Sequence, residues 1–416
     1  MSRYDDLSRE LSKAAMQGEL ETRQRELESA NARDASLVKK LVNPEAQPAV
    51  IRLGDCACPD GQGACEAACL FEAIRRDEEG NIVVTANCTG CGACLEACPE
   101  EKLAGRKDAL AVLRLLKDRK TPVYALIAPA FSGQFSREVT SGKLRSAFKY
   151  MGFYGMLEVA LFADILTLKE ALEFDRAIQS DEDFMLTSCC CPLWVALIKK
   201  SYKSMIPHVP PSVSPMVACG RAVKRIHPEA RTVFIGPCLA KKAEAREPDI
   251  ADAVDVVLTF EEVAELFDLM GINPADFEED QSDHSSTAGR IYARTAGVSE
   301  AAQFTLDRLR PNRPITLRAR QADGVPGCKA LLKEVAEGRA NANFIEGMGC
   351  VGGCVGGPKA LVDREVARAA VNDYGAAAKY TTPADNPHVL ELLRILGFET
   401  VESLLDRDTI FTRSFD

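Results

Sequence analysis

Histidine and tryptophan are scarce in this sequence, which has four histidines and one tryptophan among 416 residues. The histidines show no metal-ligand spacing, so we expect them at the surface or in the core rather than in a metal centre. No apolar run approaches the roughly 18 residues of a membrane span, and the first residues lack a signal-peptide or twin-arginine pattern. We therefore expect a cytoplasmic protein without a membrane span.

Basic residues are also in deficit. Lys and Arg total 51 against 61 Asp and Glu, which gives a formal net charge of -10. Because nucleic-acid-binding proteins usually carry a basic surface, this balance argues against nucleic acid as the main partner.

Cysteine, by contrast, is abundant, with sixteen in the chain. Thiols stay reduced in the cytoplasm, so cysteines that fall in tight clusters or short motifs indicate metal ligands before disulfides. Three of them are consecutive, Cys189 to Cys191, and neighbours in sequence cannot bridge without strain. Soft thiolates after a predicted strand suit iron or another thiophilic metal.

Eight cysteines lie between residues 49 and 105, in two sets of four. The second set has the C-x2-C-x2-C-x3-C-P spacing of two-cluster ferredoxins, in which the fourth cysteine binds the other cluster. Crossed ligation then gives one [4Fe-4S] cluster the ligands Cys56, Cys58, Cys65 and Cys98, and the other cluster the ligands Cys88, Cys91, Cys94 and Cys69. A zinc ribbon is the alternative, but it usually has two C-x2-C pairs further apart. We predict an α+β ferredoxin-like domain over 49–105, after a helical extension over 1–48.

From residue 106 to 416 short apolar runs alternate with helical stretches. This alternation predicts an α/β domain of mostly parallel sheets flanked by helices. Cysteines directly follow three of the predicted strands, at Cys189 to Cys191, at Cys238, and at Cys350 with Cys354. Open α/β sheets bind ligands at the carboxyl ends of their strands, so we expect the three loops to form one thiolate site.

Three segments resemble the signatures of the [FeFe]-hydrogenases. Residues 187–194, TSCCCPLW, are similar to T-S-C-C-P-x-W with one extra cysteine. Residues 236–244, GPCLAKKAE, resemble M-P-C-x-x-K-K-x-E, with Gly236 in place of methionine. Residues 344–357, FIEGMGCVGGCVGG, resemble F-x-E-x-M-A-C-x-x-G-C-x-x-G-G-G. The order of the three is specific, and the resemblance implies an H-cluster, a [4Fe-4S] cube joined to a two-iron unit with carbonyl, cyanide and azadithiolate ligands.

The resemblance also implies roles for individual residues. The cube ligands are Cys191, Cys238, Cys350 and Cys354, with Cys354 shared with the two-iron unit. Lys241 would hydrogen-bond a cyanide, Ala128 would offer a backbone donor, and Pro129 and Met348 would also contact the cofactor. Cys190 would pass protons, and the carboxylates Glu170 and Glu173 would continue the relay, since they lie three residues apart on one helix face.

The extra cysteine leaves the numbering of the relay thiol open. Counting back from Pro192 makes Cys191 the ligand and Cys190 the relay thiol, whereas counting forward from Ser188 shifts both roles back by one, to Cys190 and Cys189. We use the first count, because Pro192 is expected to begin a helix and so to fix the residue before it.

The implied activity is the reversible interconversion of dihydrogen with protons and electrons. Electrons would pass through the ferredoxin-type clusters to a ferredoxin or another redox protein or subunit, because no flavin or nicotinamide motif is present. Hydrogenase maturation proteins would assemble the cofactor. The alternative is a non-catalytic iron-sulfur protein, either an assembly factor or a hydrogen sensor. Cys190 and Lys241 favour the enzyme, because a protein that binds only a cube needs neither residue. Cys189, Cys219 and Cys328 are further thiols without an assigned role.

Overall fold

The computed structural model describes residues 2–55, 63–78, 80–187, 189–280 and 284–415. The first 42 residues contain three helices, α1 (Arg3–Gln17), α2 (Leu20–Ala30) and α3 (Ala32–Val42). Ser2 and Asp5 form a capping box that fixes the start of α1. The helices bury a shared apolar stripe against the following segment, made by Tyr4, Leu7, Leu11, Leu27, Leu37, Val38 and Leu41.

The cysteine-rich segment is α+β in its described residues. Strand β1 (Val50–Arg52) pairs antiparallel with β4 (Leu103–Gly105), and β2 (Ile74–Arg76) pairs antiparallel with β3 (Ile82–Val84). Two short helices, α4 (Ala64–Ala67) and α5 (Ala93–Ala97), carry Cys65 and Cys94.

Beyond residue 106 strands and helices alternate as the apolar pattern predicts. The strands are β5 (Val123–Ile127), β6 (Gly155–Glu158), β7 (Met185–Leu186), β8 (Arg231–Gly236), β9 (Val256–Thr259), β10 (Ala319–Asp323) and β11 (Phe344–Met348). The helices are α6 (Ala109–Lys117), α7 (Ser141–Met151), α8 (Val159–Ala177), α9 (Pro192–Ser201), α10 (Pro215–Ile226), α11 (Ala240–Glu244), α12 (Phe260–Met270), α13 (Thr287–Arg290), α14 (Gly297–Leu309), α15 (Gly324–Ala336), α16 (Arg364–Ala376) and α17 (Pro387–Ile395).

These strands form two separate parallel sheets. One sheet has the order β6-β5-β8-β9 and the other the order β10-β11-β7. Along β5, Tyr124 and Leu126 enter one apolar core while Ala125 and Ile127 enter another, so the sheet is covered on both faces. Parallel sheets are normally buried in this way. The predicted α/β class with mostly parallel sheets flanked by helices is confirmed.

Helix α8 is buried along most of its length. Nearly every residue from Val159 to Phe174 is buried, and the helix contacts α10, α13 and α14. A helix that is covered all round has no solvated face for charged side chains, so those it carries must find partners inside the protein. In the described part of the chain no helix is both long enough and apolar enough to cross a membrane.

The carboxyl ends of strands from both sheets lead into the cysteine loops. The loop with Cys238 follows β8 in the four-stranded sheet. The loops with Cys191 and Cys350 follow β7 and β11 in the three-stranded sheet. The thiols therefore come together from two sheets, not from one.

Candidate metal centre

Five thiols line one internal cavity between these loops: Cys190, Cys191, Cys238, Cys350 and Cys354. Ala128, Pro129, Lys241 and Met348 line the same cavity, and the rest of its wall is mostly apolar. The three loops that we expected to converge do converge. The sequence could indicate this convergence, because the cysteines of each loop directly follow a predicted strand, and parallel strands bind ligands at their carboxyl ends.

The donor set is suited to an iron-sulfur cluster. Burial, together with the nearby Cys191 and other cavity thiols, raises the pKa of Cys238 to about 11 and that of Cys354 to about 12. A raised pKa disfavours the thiolate form. These cysteines therefore need a bound metal to be stable as thiolates, which are the form that binds iron. Among the described residues no three His, Cys, Asp or Glu side chains are close enough to hold a single metal ion. The five thiols that line the cavity supply enough soft donors for the four-cysteine ligation of an iron-sulfur cluster.

The backbone around the thiols is adapted to a close approach. The Gly349 N–H donates to Cys191 Sγ at 3.2 Å. Gly353 has a φ of +87°, and a Cβ at this position would lie 2.7 Å from the Thr295 nitrogen. Only glycine accommodates both this conformation and this contact. Asp323 holds the same loop, since its Oδ2 accepts from the Gly352 N–H at 2.9 Å.

Lys241 is held at the cavity by an ion pair within its own short helix. Its Nζ lies 2.6 Å from Glu244 Oε2, and both side chains are buried. Burial disfavours the ammonium charge, but the Glu244 carboxylate outweighs this effect and raises the pKa of Lys241. The lysine therefore presents a permanent positive charge to the cavity.

One detail differs from the implied contacts. The backbone N–H of Ala128 was expected to donate a hydrogen bond to the cofactor. It donates instead to the Ile235 carbonyl at 2.9 Å and continues the pairing between β5 and β8. The N–H is therefore already satisfied. Ala128 and Pro129 contact the cavity by their apolar surfaces.

The consecutive cysteines divide between two environments. Pro192 is the first residue of α9, and Cys190 and Cys191 line the cavity. Cys189 is not among the cavity residues, and its thiol donates to the Val213 carbonyl at 3.3 Å. Ser188, from which the other count begins, lies outside the described residues. The roles of the individual thiols stay predictions.

Glu170 and Glu173 are both buried on α8, where sequence alone gave no sign of burial. Glu170 accepts hydrogen bonds from the Thr187 hydroxyl and from the Tyr292 hydroxyl, the latter at 3.0 Å. Burial raises the pKa of Glu170 to about 7. Lys169 Nζ pairs with Glu173. In the described chain no hydrogen bond joins Glu170 to Cys190 or to Glu173, so the implied relay is not a continuous chain of side chains.

Four polar residues at this site were missed by sequence reasoning: Lys169, Thr187, Ser212 and Tyr292. Thr187 lay within the first signature and could have been considered as a hydrogen-bond donor. The other three have no sequence signal, because their partners are brought together only by tertiary packing, as in the Tyr292 to Glu170 contact across 122 positions.

A second group of thiols lies in the cysteine-rich segment. Cys69, Cys88, Cys91 and Cys94 line one small cavity, as the crossed ligand assignment requires. Cys65 lies near Cys98, since burial and then the Cys98 thiol raise the pKa of Cys65. Cys56 and Cys58 lie outside the described residues. The fourteen described cysteines are all free.

The two thiol sites are in direct contact through the backbone. Gly90, between Cys88 and Cys91, has a φ of +71°, and a Cβ there would lie 2.8 Å from the Leu239 carbonyl oxygen. Leu239 directly follows Cys238 of the central cavity. Gly90 therefore permits the close approach of the two loops.

Comparison with known families identifies the central region. A sequence profile described as "Iron only hydrogenase large subunit, C-terminal domain" matches residues 121–358. The chain belongs to this family. The matched residues include every thiol of the central cavity, while the cysteine-rich segment lies outside them.

Relatives in the iron-only hydrogenase family include enzymes and assembly factors. The NADP-reducing hydrogenase subunit HndD of Solidesulfovibrio fructosivorans is 28% identical over 67% of this chain and 56% of its own length. Iron hydrogenase 1 of Clostridium pasteurianum is 28% identical over 56% of this chain and 48% of its own length. This chain therefore spans about half the length of these two relatives. Cytosolic iron-sulfur assembly component 3 of Pongo abelii is 26% identical over 61% of this chain and 64% of its own length.

The fold of the iron-only hydrogenase family is also found in solved structures. A variant of the [FeFe]-hydrogenase HydA1 from Chlamydomonas reinhardtii aligns with a TM-score of 0.60 and 22% identity, over 73% of this chain and 98% of that one. The similarity shows a shared fold.

Proposed function

We propose that this chain is an [FeFe]-hydrogenase that interconverts dihydrogen with protons and electrons. One observation carries the proposal: the four expected cube ligands share their cavity with Cys190 and with the buried Lys241 cation. A protein that holds only a cube needs neither a thiol free of the cube nor a lysine ammonium group at the wall of the cavity.

The residues present fit an H-cluster. Cys191, Cys238, Cys350 and Cys354 would hold the cube, with Cys354 shared with the two-iron unit. Lys241, Met348, Ala128 and Pro129 would surround that unit, the lysine by charge and the other three by apolar contact. When bound, the cofactor would supply the making and breaking of the dihydrogen bond, and the protein would supply position, charge and exclusion of water.

The chain's own part in proton movement begins at Cys190. Its Sγ would hold a proton inside an apolar cavity where few waters can carry one. Glu170 is suited to receive protons next, because burial brings its pKa to about 7, near the pH at which it would work. No side-chain bond spans the gap between Cys190 and Glu170, so we expect a bound water to complete it.

Electrons would leave through the cysteine-rich segment. We propose that this segment is a ferredoxin-like domain with two [4Fe-4S] clusters, one held by Cys69, Cys88, Cys91 and Cys94, the other by Cys56, Cys58, Cys65 and Cys98. The close approach of Gly90 to the Leu239 carbonyl supports this route, because the residues that would hold the first of these clusters lie next to the loop of Cys238, which would hold the cube. A ferredoxin or another redox subunit would be the external partner, and hydrogenase maturation proteins would install the two-iron unit.

The second candidate is an iron-sulfur protein that carries cubes and acts by interaction. The similarity to cytosolic iron-sulfur assembly component 3 supports it, because that relative aligns over 61% of this chain.

An infrared spectrum of the full chain after maturation by hydrogenase accessory enzymes separates the two candidates. We expect bands of metal-bound carbonyl and cyanide together with hydrogen evolution. A protein that binds its full set of iron-sulfur clusters but shows no such bands after maturation would be the interaction protein.

A further inference from the structure

The small cavity of the cysteine-rich segment has one polar side chain besides its thiols. Among the described residues that line it, Thr89 is the only one whose side chain contains oxygen or nitrogen. The others are two glycines, the thiols Cys69, Cys88, Cys91 and Cys94, and five apolar residues: Val50, Phe71, Ala73, Ile74 and Val84. A hydrogen bond is electrostatically stronger in such apolar surroundings than in water. The Thr89 hydroxyl is therefore placed where a single donor has a large effect.

The hydroxyl group has no partner of its own. Thr89 Oγ1 is buried and forms no hydrogen bond within the part of the chain that the structure describes. A buried hydroxyl without a hydrogen bond destabilises a protein. Such a group in a native protein indicates a partner that the polypeptide does not supply.

The backbone around the cavity already directs donors at sulfur. The Ala73 N–H donates to Cys69 Sγ at 3.1 Å, and the Gly90 backbone forms a hydrogen bond with Cys88. Hydrogen bonds to sulfur are a feature of protein-bound iron-sulfur clusters and help to set their reduction potentials. Thr89 lies between Cys88 and Gly90 in the same loop. A cluster sulfur atom is thus an acceptor that fits both the unpartnered hydroxyl and the donors around it.

This loop also lies where the two thiol sites meet. Gly90, next to Thr89, closely approaches the Leu239 carbonyl, and Leu239 follows Cys238 of the central cavity. A cluster held beside this loop would be the one that exchanges electrons with the central cube. Its reduction potential would therefore control that transfer.

We propose that the Thr89 hydroxyl donates a hydrogen bond to a sulfur atom of the [4Fe-4S] cluster held by Cys69, Cys88, Cys91 and Cys94, and so raises the reduction potential of this cluster. Reduction adds one electron, which makes the sulfur atoms more negative, and a donor then stabilises the reduced state more than the oxidised one. The electron comes from the central cube or from the redox partner, the hydroxyl keeps its proton, and no covalent bond changes. The inference rests on the proposed ferredoxin-like domain but not on hydrogen turnover.

The test uses Thr89→Val in the full chain before maturation, with its iron-sulfur clusters bound. Valine keeps the shape of threonine and lacks the hydroxyl. Reductive titration followed by electron paramagnetic resonance measures the midpoint potentials. We expect one reduction step to move so that, at fixed potential, the ratio of reduced to oxidised cluster falls by on the order of tenfold, which is about 59 mV for a one-electron couple. Cys91→Ala, which removes a ligand of this cluster, identifies the step, because that step should be lost.

Three controls separate the hydroxyl from other effects. Thr89→Ser keeps a hydroxyl and should retain a potential close to that of the wild type. Thr85→Val is the same substitution in the same segment, but the Thr85 hydroxyl already donates to the Ala73 carbonyl at 3.1 Å, so no shift is expected. An exposed cation is also near, since Lys200 Nζ donates to the Asn87 carbonyl at 3.3 Å. Because salt screens exposed charges, a shift caused by a displaced Lys200 would disappear at high salt, whereas the shift from the lost hydroxyl should persist.

The proposal would be overturned by an unchanged potential in Thr89→Val, by an equal shift in Thr89→Ser, or by a shift that disappears at high salt. If Thr89→Val does not take up the cluster, Thr89→Ala gives the same comparison. A different result would overturn the ferredoxin-like domain, and the role of Thr89 with it: a wild-type protein that holds only about four irons, as for the central cube alone.

Discussion

Replacing Lys242 with methionine should strongly destabilise the protein. The Lys242 side chain is fully buried, and its Nζ lies 2.6 Å from Asp108 Oδ2 and 2.8 Å from Glu262 Oε2. The two carboxylates are only 4% and 3% exposed, so Lys242→Met would leave buried negative charge next to an apolar side chain. Removing one partner of a buried pair costs about 3–5 kcal/mol. We expect a loss in that range at pH 8.

The loss should depend on pH with a defined sign. Burial favours the neutral acid, but Lys242 and Arg106 outweigh it and lower the pKa of Asp108. In the wild type this contribution is therefore present above the ordinary pKa of about 4 and disappears only as pH falls through the lower folded value. Without Lys242 the pKa of Asp108 should rise, and protonation would relieve the buried charge. The deficit of Lys242→Met should thus be smaller at pH 5 than at pH 8.

Urea unfolding of the cluster-loaded chain at both pH values measures this effect. The matched control is Arg308→Met, which removes an ion pair whose side chains are 60% and 39% exposed. Exposed pairs contribute about 0–1 kcal/mol, so this variant should remain close to the wild type. If Lys242→Met were no less stable than Arg308→Met at pH 8, our account of the buried ion cluster would be refuted.

Three further predictions concern the cofactors and the buried acids. Before maturation the protein should hold three cubes, about twelve irons; an iron content near four, or stoichiometric zinc, would contradict the ferredoxin-like domain. Cys190→Ala should keep the infrared bands of the matured cofactor and lose turnover by orders of magnitude, whereas Cys189→Ala should have a much milder effect on turnover. If instead Cys190→Ala lost the cofactor and Cys189→Ala kept the cofactor but lost turnover, Cys190 would be the ligand and Cys189 the relay thiol. Burial raises the pKa of Glu346 to about 7, so this group makes the protein less stable as pH rises from about 4 to about 7, and urea midpoints of Glu346→Gln should lack that part of the slope.

The sequence was most informative where function and local structure coincide. Parallel strands end in cysteine loops, so Cys191, Cys238 and Cys350 could be assigned to one site from their positions alone. Pro192 could be placed at a helix start from its preference for the first helical position. These inferences needed only neighbouring residues or a general rule about strand ends.

The buried charges could not be predicted in this way. Lys242 and Asp108 are 134 positions apart, and Lys169 and Ser212 are 43 apart. A lysine in a helix usually has its charge in water, and only the packing of other elements over α8 and α11 removes that option. The expected backbone donor at Ala128 was wrong for a related reason, because the strand pairing that satisfies its N–H is itself a long-range contact.

The origin of the thiols in two different sheets has a consequence for the metal-free protein. Cys238 is attached to the four-stranded sheet, whereas Cys191 and Cys350 are attached to the three-stranded sheet. A cube bound by all of them would act as a covalent cross-link between the two halves of the domain. Because metal binding then contributes to folding free energy, the protein without a cube should open along this boundary and become sensitive to proteolysis in the cysteine loops. Such opening would give assembly enzymes wider access to the cavity between the cysteine loops.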